Sequence, residues 1–375
     1  MIELAPYYYF IYWLVVMMLT VYYFSETYNY ANYNVLFKRF DNKPLVVFSV
    51  FFVIIYGLRP ISGYYFGDTS NYAATYKLLQ TFGTFNDEGV AELGSDWLFD
   101  MSMALCAQVM DVNAFFVIVI FLYIALMFYG CWKLDWRHGA ILMMACMGAF
   151  SFYSYAINGI RNGLACSVVI LALAGVCRGK RLLPIILSLV AVSCHKSTAL
   201  PLACMFFTYF IRNPKYMYCV WLGAIFFSLV FGEAIADFIS LVSYDERLSN
   251  LTLTLEEIEG NWGVVSKRSF RWDFLLYSSM PIILGAYTLF VRKVYNNTYL
   301  ILLGTYIYAN SFWVMVIRDF FSNRYAYLSW FLYPIVLAYP LLNLPVFEKN
   351  HSQKTAFILL AHFGFTTVMW IMGKN

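Results

Sequence analysis

The sequence predicts an all-α polytopic membrane protein with about twelve transmembrane helices. Of its 375 residues, 62% are hydrophobic and 12% are charged, whereas about 25% of the residues of a soluble domain are charged. The mean hydropathy is +0.66. The apolar residues come in blocks of roughly 17 to 25, the length at which a helix crosses a bilayer. We therefore interpret residues 1–375 as one integral membrane domain.

Twelve apolar runs account for the predicted spans. The first follows only Glu3, with no basic residue before it and no small-residue cleavage site after it, so we interpret it as an uncleaved helix. The run at 182–194 is short, and we expect it to continue through His195 as a broken or tilted helix. The predicted spans are residues 7–24, 44–58, 113–132, 139–157, 160–177, 182–194, 197–211, 216–243, 272–291, 298–317, 324–341 and 355–372.

Residues 97–110 form an additional apolar segment, which contains Asp100 and Gln108. Counting this segment as a crossing would place basic loops on both sides of the membrane. We therefore interpret it as an interfacial or re-entrant helix.

The basic residues predict the orientation of the chain. Alternation of the twelve spans places six short basic loops on one face, which is cytoplasmic by the positive-inside rule. That face holds 14 Lys and Arg against four acids, and the opposite face holds 11 against 17. Both termini and the long loops 59–112 and 244–271 are then external.

Several classes of protein are excluded by what the sequence lacks. The net charge is +4 without a dense basic tract, so nothing indicates binding to nucleic acid. The eight cysteines form no CxxC pair, and the sequence contains no DxD pair, HExxH, GxxxxGK[ST] or GxSxG motif. We expect no metal and no cofactor.

The unusual polar residues of the chain converge on the outer face in this topology. A charged side chain at the centre of a lipid-facing helix costs about 2.5 to 3.5 kcal/mol, so such residues normally face the bundle interior or water. Some of them, Lys196 for example, are alternatively interfacial anchors. The predicted outer-face residues are Arg59, Asp68, Tyr72, Asn158, Arg161, Asn162, His195, Lys196, Arg318 and Arg324.

The group around Arg161 is suited to anion recognition. A helix N-terminus carries a partial positive charge with free N–H groups, and an arginine in the same turn adds paired donors. Arg59, Arg161 and Arg324 together exceed what a carboxylate needs and fit a diphosphate leaving group. A structural network of ion pairs is the alternative interpretation.

His195 is the candidate general base, because an imidazole can accept a proton from a sugar hydroxyl at neutral pH. Asp68 and Glu92 are the other candidate bases, or they orient the arginines as counter-ions. A lone histidine at a helix end is alternatively structural. Tyrosine clusters such as "PYYYFIYW" can stack on sugar rings, although membrane-interface belts account for most of them.

At these residues the sequence resembles the EpsG branch of bacterial polysaccharide polymerases, which are Wzy-type relatives of the O-antigen polymerases. The matching segments are "GLRPISGYYFGDTSNY", "AELGSDWLFD", "INGIRNGLA", "CHKSTAL" and "NRYAY". Their order and spacing agree from about residue 45 to 330. Asn162 stands where the family usually has Gln, and Lys196 and Thr198 also depart from the pattern around the histidine.

The resemblance implies polymerisation of lipid-linked oligosaccharide repeat units at the outer side of the bacterial inner membrane, with polyprenyl diphosphate as the leaving group. Arg59, Arg161 and Arg324 are then expected to face the diphosphate, and Asp68 and His195 to lie near the acceptor. Partners would be the lipid-linked oligosaccharides, the bilayer, a chain-length regulator and a flippase. The alternatives are a transporter or flippase for the same lipid and a membrane O-acyltransferase.

Overall fold

The computed structural model describes residues 2–30, 36, 38–83, 96–242, 270–318 and 322–372. Within these ranges the regular structure is entirely helical. The α-helices are α1 (Tyr8–Tyr28), α2 (Lys43–Gly57), α3 (Gly63–Phe66), α4 (Thr69–Phe82), α5 (Trp97–Ala107), α6 (Val112–Leu134), α7 (Gly139–Met147), α8 (Phe150–Ile157), α9 (Ile160–Cys177), α10 (Leu182–Cys194), α11 (Ala199–Phe210), α12 (Pro214–Val242), α13 (Trp272–Ala286), α14 (Asn297–Met315), α15 (Ser322–Trp330), α16 (Tyr333–Asn343) and α17 (His351–Ile371). A 3₁₀ turn (Lys196–Thr198) joins α10 to α11, and a π-helical turn (Tyr287–Val291) extends α13.

The number of membrane spans is smaller than the sequence predicted. Among the described residues, seven helical segments are long and apolar enough to cross a bilayer, or eight if the bent pair α7 and α8 forms one span. The expectation of twelve spans was therefore wrong. The seven segments are Glu3–Tyr28, Val112–Leu134, Ile160–Cys177, Pro214–Ile235, Trp272–Val291, Ser322–Asn343 and His351–Ile371.

Four predicted spans fail for physical reasons. Helices α2, α10 and α11 contain 15, 13 and 12 residues, which is about 18 to 23 Å of helix against a hydrocarbon core of about 30 Å. Helix α14 has 19 residues, but its three tyrosines together with Thr305, Asn310 and Ser311 make its composition less apolar than that of the seven segments. Apolar composition thus does not show where each helix stops.

The region predicted as an external loop, 59–112, contains three helices. One of them is α5, at the position predicted for an interfacial or re-entrant helix, and its 11 residues are too few to cross a bilayer. Helix α5 packs against α4 and α10. The second predicted external loop, 244–271, lies outside the described residues except for its last two positions.

Helices α7 and α8 are separated by a 74° bend and together return the chain across the bundle. Helices α6 and α9 both begin at the same end, because Phe115 and Ile160 share one apolar cluster. Backbone groups freed by a break inside a membrane need partners. The carbonyl oxygen of Gly148 accepts a hydrogen bond from the Thr366 hydroxyl (2.8 Å), and that of Met147 accepts one from the Tyr12 hydroxyl. The break is therefore a satisfied feature of the fold.

The bundle has two chemically different ends. Helix α2 runs antiparallel to α6, since Gly57 near the end of α2 lies against Val117 near the start of α6. At the other end of these helices, the Phe40 N–H donates to the Arg137 carbonyl oxygen at 3.3 Å and joins two of the basic loops. The end at which α6 and α9 begin is the one that carries the candidate site.

Candidate active site

A cavity of about 1140 Å³ lies where α8 ends, α9 begins and α10 joins α11. Its wall combines charged side chains with tyrosines. Eight of the eleven residues proposed from the sequence line it, so residues distant in sequence meet here as expected from the topology. These residues are Asp68, Tyr72, Asn158, Arg161, Asn162, His195, Lys196 and Arg324.

Asp96 connects the charged groups of the cavity. It precedes the first residue of α5, and its carboxylate makes no capping contact with that helix. Instead Oδ2 lies 2.8 Å from His195 Nδ1, and Oδ1 accepts the Lys196 N–H at 2.9 Å. Arg161 Nη1 also lies 3.3 Å from Oδ2. One largely buried carboxylate thus binds both the candidate base and the principal cation.

The contacts of Asp96 determine its charge. Burial by itself raises the pKa of this carboxyl, but the hydrogen bond and charge of His195, the Lys196 N–H and the charge of Arg161 outweigh burial, and the pKa lies below its ordinary value. Asp96 is therefore ionised at neutral pH. An ionised carboxylate only accepts hydrogen bonds, so Nδ1 of His195 carries the hydrogen.

His195 is positioned by its backbone as well as by Asp96. Helix α10 ends at Cys194, and His195 adopts an extended conformation (φ −159°, ψ 114°) before the 3₁₀ turn. The predicted broken helix therefore breaks at the histidine itself. The side chain is 24% exposed, and its Nε2 makes no hydrogen bond with the residues that the structure describes. With Nδ1 protonated, Nε2 has a lone pair available toward the cavity.

Arg161 lies in the first turn of α9 and is held by several groups. Its Nε donates to the Tyr72 hydroxyl at 3.2 Å, and the guanidinium carbon lies 5.4 Å from the centre of that ring. Nη1 is 3.3 Å from Asp96 and 3.7 Å from Asp100. The side chain is still 32% exposed, so the guanidinium is both fixed and accessible from the cavity.

The loop between α3 and α4 docks on the break between α8 and α9. The Asn158 side-chain oxygen accepts the Asp68 N–H at 2.7 Å, and the Asp68 carboxylate accepts a hydrogen bond from Asn71 at 3.2 Å. Gly67 has φ +55°, and a Cβ at this position would lie 2.3 Å from the Asn158 oxygen. Only glycine permits this close approach. Asn158 and Asp68 therefore build the wall of the cavity as well as lining it.

Two residues proposed from the sequence do not line this cavity, and a third cannot be placed because it lies outside the described residues. Arg59 is 1% exposed and lies behind the wall. Arg318 lies 3.8 Å from Glu233 and does not line the cavity. Glu92 is outside the described residues.

The guanidinium of Arg59 donates its hydrogen bonds to other groups of the protein. Nη1 donates to the Tyr56 carbonyl oxygen (2.8 Å), and Nη2 donates to Thr69 Oγ1 (2.9 Å) and to the Ile157 carbonyl oxygen (3.0 Å). Burial lowers the pKa of Arg59 to about 10, so the side chain remains charged at neutral pH. These contacts tie α2 to α4 and α8, and they hold the guanidinium away from the cavity in which the diphosphate was expected.

Substitution of Arg59 is expected to reduce stability rather than substrate binding. Arg59→Leu removes the hydrogen bonds to the Tyr56 carbonyl oxygen, to Thr69 Oγ1 and to the Ile157 carbonyl oxygen, which costs about 2 kcal/mol or more. We expect a lower midpoint of thermal unfolding in detergent, and recovered protein that retains its affinity for substrate. An Arg59→Leu protein of normal stability with weakened substrate binding would support the contact with the diphosphate that was predicted from the sequence.

Every residue of this arrangement from Arg59 to Arg324 falls within a family match. The chain matches the EpsG family model over residues 42–375. The chain belongs to the EpsG family. Membership in EpsG implies a part in polysaccharide biosynthesis, and the apolar helices are those of a multi-pass membrane protein. No curated protein and no solved structure matches the chain.

Tyrosines complete the wall of the EpsG cavity. Tyr9, which precedes the family match, lies 4.6 Å from Tyr153 between ring centres, and Tyr155 lies 5.6 Å from Tyr327. All four rings line the cavity. Tyr9 belongs to the cluster "PYYYFIYW", for which the membrane interface was the main explanation; at this position the ring instead faces a polar cavity.

Asp96 is the residue that sequence reasoning missed. It lies in the same segment, "AELGSDWLFD", from which Glu92 was selected. The available signal was its place directly before a short apolar helix, where Asp is common as an N-cap. That signal predicts a helix start and gives no indication of a contact with His195.

Proposed function

We propose that this EpsG protein polymerises lipid-linked oligosaccharide repeat units into a surface polysaccharide by glycosyl transfer. The observation that carries the proposal is the Asp96 carboxylate, which contacts His195 and Arg161 inside one cavity. A base and a cation suited to an anionic leaving group are thereby held side by side. We place this cavity on the outer side of the inner membrane, because the basic loops that contain Arg39 and Arg137 lie at the opposite end of the bundle.

The donor in this proposal is a growing chain attached to polyprenyl diphosphate. Arg161 and Arg324 line the cavity, and the N-terminus of the 18-residue helix α9 opens into it. A helix N-terminus and arginine side chains both stabilise the charge that develops on a departing diphosphate. These groups supply positive charge without a divalent metal, and we propose a metal-independent reaction.

The acceptor is the terminal sugar of a second lipid-linked repeat unit. His195 Nε2 accepts the proton of the attacking hydroxyl, and that oxygen bonds to the anomeric carbon of the donor. The bond between the anomeric carbon and the diphosphate oxygen breaks, and its electron pair leaves with the polyprenyl diphosphate. Asp96 is a positioning residue that fixes the tautomer of His195, as the carboxylate does in other histidine-based sites.

The size and lining of the cavity are consistent with oligosaccharide substrates. Its volume of about 1140 Å³ exceeds the roughly 300 to 1,000 Å³ of a typical small-molecule site. Tyrosine rings such as Tyr153 and Tyr327 present apolar faces against which sugar rings can pack, and their hydroxyls offer hydrogen bonds. Two saccharides can therefore meet within one site.

A flippase for the same lipid is the second candidate. A translocation path needs polar groups along the whole depth of the bundle. The charged residues that line this cavity instead come from the ends of helices and from the adjoining loops: Asp68, Asp96, Arg161, Lys196 and Arg324. This placement favours chemistry at one face over transport.

The proposal is tested with purified protein in liposomes that contain lipid-linked repeat units from a producing strain lacking this gene. We expect a ladder of products on a gel and stoichiometric release of polyprenyl diphosphate, both unchanged by EDTA. Single repeat units that cross the bilayer without joining would identify a flippase. Loss of the ladder in EDTA would contradict the metal-independent mechanism.

A further inference from the structure

A second polar site lies at the end of the bundle opposite the cavity. It consists of Arg39 and Lys43 at the start of α2 and of Trp136 and Arg137 after α6, all of which are exposed. A pocket of about 700 Å³ adjoins it and is lined by Arg39, Lys43 and the first residues of α2. We call these four residues the basic indole cluster. None of them takes part in the proposed glycosyl transfer.

The cluster is held together by its own contacts. The guanidinium carbons of Arg39 and Arg137 lie 5.7 Å and 5.2 Å from the ring centre of Trp136. The Phe40 N–H donates to the Arg137 carbonyl oxygen at 3.3 Å, so the two segments cannot separate freely. Two guanidiniums are therefore kept at one indole by the backbone.

Within the described residues, the basic indole cluster has more positive charge than the neighbouring carboxylates balance. Asp41 is the one carboxylate that lines the pocket, and its Oδ1 accepts the Lys43 N–H at 2.9 Å. In the ranges that the structure describes, no acid forms an ion pair with Arg39, Lys43 or Arg137. The neighbouring Lys38 differs, because Glu26 neutralises it at 2.6 Å. Like charges held together in this way favour an anion from outside the chain.

The surface beside the cluster identifies the kind of anion. Lys43 begins a stripe along one face of α2 that continues through Val47, Val50 and Ile54, which are 70%, 55% and 49% exposed. Helix α2 packs beside the membrane span α6 and is too short to cross by itself. A ligand that fits has an anionic head at the arginines and hydrocarbon chains along the valines.

We propose that the basic indole cluster binds the headgroup of one anionic phospholipid from the leaflet at this face. The phosphodiester lies at Arg39 and Arg137, where guanidiniums supply paired donors. The acyl chains lie along the exposed stripe of α2. The Trp136 ring contributes the amphipathic surface that is typical of the membrane interface. This site is independent of the proposed polymerase activity.

The experiment is native mass spectrometry of the purified full-length protein titrated with phosphatidylglycerol or with phosphatidylethanolamine. Each basic residue near an anionic lipid contributes about fivefold to binding. We therefore expect Arg39→Gln/Arg137→Gln to weaken phosphatidylglycerol binding about twenty-five-fold. The matched control is Arg212→Gln, since Arg212 also lies over an aromatic ring, 4.9 Å from the centre of Tyr209, but has no second arginine there.

Three outcomes would overturn the proposal. The first is equal binding of phosphatidylglycerol by the double variant and the wild type. The second is equal binding of phosphatidylethanolamine and phosphatidylglycerol by the wild type, which would show that the charge of the headgroup has no role. The third is saturable binding of inorganic phosphate without binding of phosphatidylglycerol, which would identify a site for free phosphate.

Discussion

His195→Gln is expected to abolish polymer formation while leaving the protein folded. Glutamine retains an N–H donor for Asp96 but has no basic nitrogen to receive the acceptor proton, and loss of a general base costs about 10²- to 10⁴-fold in rate. Single lipid-linked repeat units would accumulate in place of the ladder. The rate of polyprenyl diphosphate release by the purified variant measures the effect, and thermal unfolding in detergent checks the fold.

Asp96→Asn provides the companion variant. Its amide can hold the wrong tautomer of His195, so we expect a loss of rate comparable to that of His195→Gln. Residues that act as one unit are not additive, so the double variant should be no slower than His195→Gln alone. His351→Gln serves as a control, because His351 contacts the Leu341 carbonyl oxygen away from the cavity. A folded His195→Gln protein with a normal ladder would eliminate the base assignment.

The membrane class and most of the candidate site were predictable because placing a charged side chain in an apolar environment costs free energy. Arg161, His195 and Arg324 stand out at the ends of long apolar runs, and the predicted alternation of the spans put them at one end. The cavity indeed brings these three together with five other predicted residues. This inference needed the cost of burying charge and the return of the chain to the same end of the bundle between the motifs.

Arg59 marks the limit of that argument. An arginine in an apolar chain needs hydrogen-bond or charge partners, because its burial costs free energy. Its sequence neighbours do not show whether those partners belong to the protein or to a ligand. Its donors go to Thr69 and to the Ile157 carbonyl, which is 98 positions away. Asp96 and His195 are likewise 99 positions apart. The segment of Asp96 also contains Glu92 and Asp100, so spacing alone cannot decide which acid meets the histidine.

The span count failed for a related reason. An apolar run shows that a segment avoids water, whereas a crossing also needs sufficient helix length. Helix α10 stops at Cys194 because His195 is extended, and α11 begins only after a 3₁₀ turn. The interruption that shortens these helices is the same feature that puts His195 beside Asp96. A membrane-spanning continuation of α10 would have removed the histidine from its position.

Arg161→Lys is expected to eliminate the long-chain ladder even though the charge is conserved. Lysine cannot contact Asp96 and the Tyr72 hydroxyl while also offering a planar pair of donors to the diphosphate. Removal of one donor that stabilises developing charge costs about 10²- to 10³-fold in rate. Arg161→Ala should be at least as severe. Gel analysis of the polysaccharide, together with the amount of the variant in the membrane, measures the result.

Arg318→Lys is the matched control for this variant. Arg318 is an arginine at the end of another helix, and it lies by Glu233 outside the cavity. We expect it to give a normal ladder, so that a difference between the two arginines reports on the cavity and not on charge in general. Equal ladders from stably expressed Arg161→Lys and Arg318→Lys would remove Arg161 from the diphosphate site. Equal loss of the ladder in both variants would instead indicate that Arg318 belongs to the site for which it was proposed from the sequence.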